Sequence, residues 1–257
     1  MATLNLTLEQ LTRACTDAVY LESLAANPDA PVPRTKRLHG EGLLSTATRF
    51  HHCADEFVRW LANDGRDMGG NAETVSSELW RELFQRFARP EIEALAEGGM
   101  IQDAAQLSAA FQAFCERLLS LREAIPDIAS WNNLLAADPI AVLHEADAGN
   151  GQRLEIRGII NGLRRRPDGA AEMVDYRFGG SSSIEDDLVS FAIKSWLLKT
   201  SPHALIVHGV IEGYAPDEEG VNLDAVEAVP EQLDAVFEQS VRPVLERLAG
   251  AELPHLK

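Results

Sequence analysis

Residues 153 to 180, RLEIRGIINGLRRRPDGAAEMVDYRFGG, hold the densest set of side chains able to do chemistry. Asp175 offers a carboxylate, Asn161 a neutral amide, and Arg177 a guanidinium two residues beyond the acid. Carboxylate and amide oxygens are ligands for a hard cation such as Mg²⁺ or Mn²⁺, the amide being the weaker of the two. Arg177 stays protonated, so it stabilises an anion but cannot serve as a base. Arg164, Arg165 and Arg166 are the densest basic cluster in the chain. They read either as a solvated hairpin tip or as a contact for phosphate or an acidic partner. His144 and Glu145, which precede this stretch, and Glu155 within it are further candidates to join Asp175 at a metal. His51 and His52 share a helix with Asp55 and Glu56, but HHxxDE is not H-E-x-x-H and reads as a solvated face. His203 and His208 flank or sit in an apolar run and read as structural. GGSSS at 179 to 183 lacks the lysine of a phosphate loop, and Ser183 is a candidate N-cap.

The elements that must position these groups divide by period. Thr7-Leu8-Glu9-Gln10 fits a capping box and opens a helix predicted through Leu24, which NPDAPVPR (27 to 34) breaks. Further helices are predicted at 41–62, at 73–97 with a kink at Pro90, at 103–125 before Pro126, and at about 129–136. Near Pro139 the pattern turns strand-like: IAVLHEA, RLEIRGIINGL, AEMVDYRF and HALIVHGVIEGY run apolar or alternate and are rich in β-branched residues. Pro167-Asp168-Gly169 predicts a turn that makes 152–163 and 171–178 adjacent antiparallel strands of one sheet. An amphipathic helix over 184–199 separates the third and fourth strands, and a last helix covers about 230–249. The fold class is therefore α/β (α+β): a helical lobe over 1–138, then a mixed sheet flanked by helices over 139–257, together one continuous unit.

Composition narrows the class further. With 40 acidic and 23 basic residues, the net charge is −17 and opposes autonomous binding of a phosphate backbone. Hydrophobic content of 46% supports a packed core and excludes disorder. The start MATLNLTLEQ shows no signal-peptide pattern, and no apolar run reaches membrane-spanning length. Cys15, Cys53 and Cys115 are widely spaced, which favours free buried thiols in a reducing cytoplasm over a metal site. Between Ala215 and Lys257 lie ten acidic and three basic residues, a segment suited to a basic partner or simply to solvent.

Order and spacing over residues 139 to 214 resemble the RecB-like branch of the PD-(D/E)XK nucleases, which includes CRISPR-associated exonucleases. That branch carries G-x-x-D on one strand, (D/E)-x-K after a hairpin turn, and Q-x-x-x-Y on the following helix. Here the matching positions read Gly158-Ile159-Ile160-Asn161, Asp175-Tyr176-Arg177, and Asp187 with Phe191. An upstream G-x-x-x-H corresponds to Gly42 through Thr46. The resemblance implies two acids holding Mg²⁺ at a scissile phosphate and a lysine that orients the attacking water. Of these groups only Asp175 remains. Thr46, Asn161, Arg177, Asp187 and Phe191 all depart from the pattern. The expectation is a catalytically inactive nuclease-like chain without a cofactor, acting as a structural or binding subunit of a DNA-processing or antiphage-defence complex. Its partner would be another protein, with nucleic acid touched only through the hairpin and no membrane involved. One alternative is an active Mg²⁺- or Mn²⁺-dependent deoxyribonuclease that uses Asp175 with Glu155, Glu145 or His144. Another is a small acidic adaptor.

Overall fold

The computed structural model describes residues 2–32, 45–63, 77, 80–124, 139–147, 152–166, 170–179, 184–217 and 220–250. The predicted turn at 167–169, Gly42, Ser183 and the predicted helix at 129–136 lie outside the described residues. The chain opens with β1 (Ala2–Thr7), followed by α1 (Leu8–Thr16) and α2 (Ala18–Ala26). The capping box forms as the sequence predicts, with Thr7 and Gln10 exchanging hydrogen bonds. The single helix expected through Leu24 is instead two. Asp17 leaves the helical conformation, pairs with Arg13, and caps α2 by accepting from the N–H groups of Val19 and Tyr20.

Next come α3 (Thr46–Asn63), a π-helical turn at Leu83–Ala88 running into α4 (Arg89–Glu97), and α5 (Ile101–Glu123). The C-terminal half contains β2 (Ile140–Asp147), β3 (Gln152–Ile160), β4 (Leu163–Arg165), β5 (Ala171–Phe178), α6 (Ile184–Thr200), β6 (Val207–Pro216) and β7 (Val221–Ala228). It ends in α7 (Pro230–Val236), a π-helical turn at Phe237–Val241, and α8 (Arg242–Ala249).

The strands form two sheets rather than the single one expected. β3 is central in the order β1-β3-β2, parallel to β1 and antiparallel to β2. The second sheet runs β4-β5-β6-β7, and its central β5 and β6 are parallel, joined through α6. Of the described residues 152–166, Leu163–Arg165 pairs with β5 in antiparallel register, whereas 152–160 pairs with β1 and β2. The break falls at Asn161-Gly162. Gly162 has φ +72, and a Cβ there would stand 2.3 Å from the carbonyl oxygen of Val174. Glycine alone admits this turn, which ends one ladder and starts the other. β7, at the edge beside β6, is a further strand within the acidic segment that follows Ala215, where no strand is predicted.

Two cores result. One packs α1, α2 and the inner face of the β1-β3-β2 sheet against α6 and the C-terminal helices. The other packs α3, α4 and α5 on the face of β5 and β6 that carries Val174, Tyr176, Val210 and Tyr214. Its centre is aromatic: the Phe50 and Phe111 rings lie 5.1 Å apart, and Phe114 meets Tyr176 edge-on at 5.1 Å. Residues 2–26 therefore belong with the C-terminal half, and position 138 does not divide the core.

Candidate functional site

Side chains alternate along β5, so Asp175 and Arg177 share the face that α6 crosses. The first turn of α6 carries Glu185, Asp186 and Asp187, acids that suit the positive end of a helix dipole. Arg177 bridges strand and helix. Its Nη2 and Nε donate to Asp175 Oδ2 at 2.5 and 3.0 Å, and its Nη1 donates to Asp187 Oδ2 at 2.5 Å. Burial alone would ease the proton off this guanidinium, but the bonds to Asp187 and Asp175 outweigh it and hold its pKa above the ordinary arginine value. The cation is thus clamped between the two acids.

These three residues line a cleft of about 540 Å³, closed on the far side by Thr48 and His51 of α3. One turn along α3 from His51, Asp55 has its pKa raised, first by burial and then by the nearby charge of Asp175, while His51, 3.7 Å away, opposes the rise. On α6, Lys194 has its pKa lowered by burial, against the charges of Asp175, Asp187 and Asp55. Three carboxylates, two permanent or near-permanent cations and a histidine therefore act on one another here. Together they form a largely compensated charge cluster, in which one oxygen of Asp175 and one of Asp187, atoms that a hard cation would use, already accept from Arg177.

The other candidate residues disperse. Thr46 opens α3 and donates its hydroxyl to Asp103 at 3.2 Å rather than facing the cleft. Asn161 is exposed at the bend between the sheets and lines no part of the cleft. Phe191 is buried against Gly209, where a Cβ would come within 2.9 Å of its ring, so it is core. Glu155 is half-buried on β3 opposite Glu145, and Glu145 pairs with Arg153. The His144 ring lies 4.3 Å from that of Trp196 at a tilt of 55°, and burial lowers its pKa. The combination of Asp175 with Glu155 and His144 is therefore not assembled, and no three His, Cys, Asp or Glu side chains converge as a metal cage among the described residues. The cysteines are free, and burial pushes each thiol up to about 12.

The arginine cluster does not face outward as a unit. Arg164 is 4% exposed and pairs with Glu172 and with Glu212, the latter at 2.9 Å. Glu212, fully buried, also accepts from Arg117 Nε at 3.2 Å and from the Tyr214 hydroxyl at 3.1 Å. Alternation on β4 turns Arg164 inward and leaves Arg165 exposed, while Arg166 pairs with Glu227. The acidic tail is also partly used within the chain: Glu227 meets His208, Asp234 meets Lys199, and Glu238 meets Arg242.

His51 and Lys194 are the functional groups that the sequence placed least well. The signal for Lys194 was its spacing of seven from Asp187, which puts both on one helix stripe. No protein-family model matches the chain, and no curated protein matches it.

Proposed function

We propose that the chain is a nuclease-like fold of the RecB-like type whose cation site has become an ion-pair cluster, and that it serves as a binding subunit of a DNA-processing or antiphage-defence assembly. The observation that carries this reading is the Arg177 guanidinium, bonded to Asp175 and Asp187 at 2.5 Å. An internal cation takes one oxygen of each of the two acids on which divalent-metal chemistry would depend. The inward turn of Arg164 and the net charge of −17 remove two routes to autonomous DNA binding and favour a protein partner. Incubation of the purified protein with single- and double-stranded DNA in Mg²⁺ or Mn²⁺ tests the reading. No cleavage is expected, and cleavage abolished by Asp175→Ala would overturn it.

One observation supports a second reading, a Mg²⁺- or Mn²⁺-dependent deoxyribonuclease. If Arg177 swung out of the cleft, Asp175, Asp187 and His51 would face the same space. Substrate phosphate would have to draw the guanidinium away, and the same cleavage assay separates the two readings.

A further inference from the structure

A second cavity, of about 880 Å³, lies between α1 and α6. α1 presents Thr12, Arg13 and Thr16 to it, and α6 presents Ser190 and Lys194 one turn apart. Leu8, Val142 and Ile159 supply apolar wall. One of its donors is short of a partner. Arg13 Nη2 is held by Asp17 at 2.6 Å. Among the described residues, Lys194 Nζ has no ion pair; it sits 5.6 Å from the Phe191 ring centre. Arg157 adds a third cation to the lining residues, against the single acid Glu9. In a chain of net charge −17, a cavity whose lining residues carry excess positive charge runs against the general trend. Its size falls within the range of small-molecule sites, which pair apolar walls with a few placed polar groups.

We propose that this cavity binds a small amphipathic carboxylate, its head group between Lys194 and Arg13 and its apolar body against Leu8, Val142 and Ile159. The carboxylate gives Lys194 the ion pair that it lacks within the chain, and the walls shelter the ligand's chain behind it. Lys194 also feels the charges of Asp175, Asp187 and Asp55, so the two sites share this residue, but the proposal does not rest on the reading of the Asp175 cleft.

Calorimetric titration of the full chain with octanoate, octanol and acetate tests the proposal. Octanoate should bind one to one, with octanol, which lacks the charge, and acetate, which lacks the body, each weaker by about tenfold or more. Lys194→Met should weaken octanoate by about tenfold or more while the protein still melts cooperatively. Thr12→Trp, which fills the cavity from α1, should abolish binding without touching a charge. Octanol binding as tightly as octanoate, octanoate undiminished in either variant, or no octanoate binding would each overturn the proposal. If Lys194→Met does not fold, Thr12→Trp and the ligand comparison still decide.

Discussion

Replacing Arg177 with alanine removes the cation from between two acids and leaves both carboxylates facing the cleft. The side chains of Arg177, Asp175 and Asp187 are 25%, 26% and 11% exposed, so the cluster is neither a surface pair nor a dry interior one. Exposed pairs contribute about 0–1 kcal/mol, and breaking a fully buried pair costs about 3–5 kcal/mol. Two contacts in partial burial, one of them through two donors to a single carboxylate, place the loss at about 2–3 kcal/mol. At about 2–4 °C per kcal/mol for a chain approaching this size, the melting temperature should fall by about 5–10 °C. Melting followed by circular dichroism measures this, and a second series with added Mn²⁺ probes the freed oxygens. Mn²⁺ should recover part of the loss in Arg177→Ala and leave the native chain unchanged, because only the variant offers two unpaired carboxylates. A variant that melts with the native protein, or one indifferent to Mn²⁺, would refute the view that Arg177 occupies the place of a cation.

Arg164→Met should destabilise by about 3–5 kcal/mol by stranding Glu172 and leaving Glu212 to Arg117 and Tyr214 alone, whereas Arg165→Ala should change stability by less than about 0.5 kcal/mol; chemical denaturation compares them. Burial would raise the Glu212 pKa, but Arg164 and Arg117 outweigh it and hold the carboxyl below the ordinary value. Glu212 therefore adds stability above pH about 4.5 that is lost as pH falls through its depressed pKa, and Glu212→Gln should flatten that part of the stability–pH curve. Gly162→Ala should cost about 2 kcal/mol or more, from its left-handed backbone and the 2.3 Å approach to Val174, read as a lowered melting temperature. With thiols pushed up to about 12, Cys15, Cys53 and Cys115 should react with Ellman's reagent at pH 8 far more slowly in the native than in the denatured protein; equal rates would contradict their burial.

Local chemistry was legible where neighbours in sequence settle the outcome. The Thr7–Gln10 capping box marks the start of α1, and the alternation of AEMVDYRF puts Asp175 and Arg177 on one face. The period of α6 places Asp187 and Lys194 on one stripe. What escaped depends on distant partners. β1 is held by pairing with β3 some 150 residues away, although Leu4 and Leu6 carry the period-two signal. β7 is a mostly exposed edge strand, so VNLDAVEA shows no clean apolar alternation. Arg164 looks like a solvated tip in its own sequence context, and only Glu212, 48 residues later, explains its burial. The separation of the sheets depends on the φ of Gly162, which residue type permits but does not announce.

Calorimetric titration of Mn²⁺ into the native chain at neutral pH tests the central claim, that Arg177 has closed the Asp175–Asp187 site to divalent cations. The ion pairs at 2.5 Å predict heats of dilution alone through the millimolar range. Saturable one-to-one binding that disappears in Asp175→Asn would contradict it.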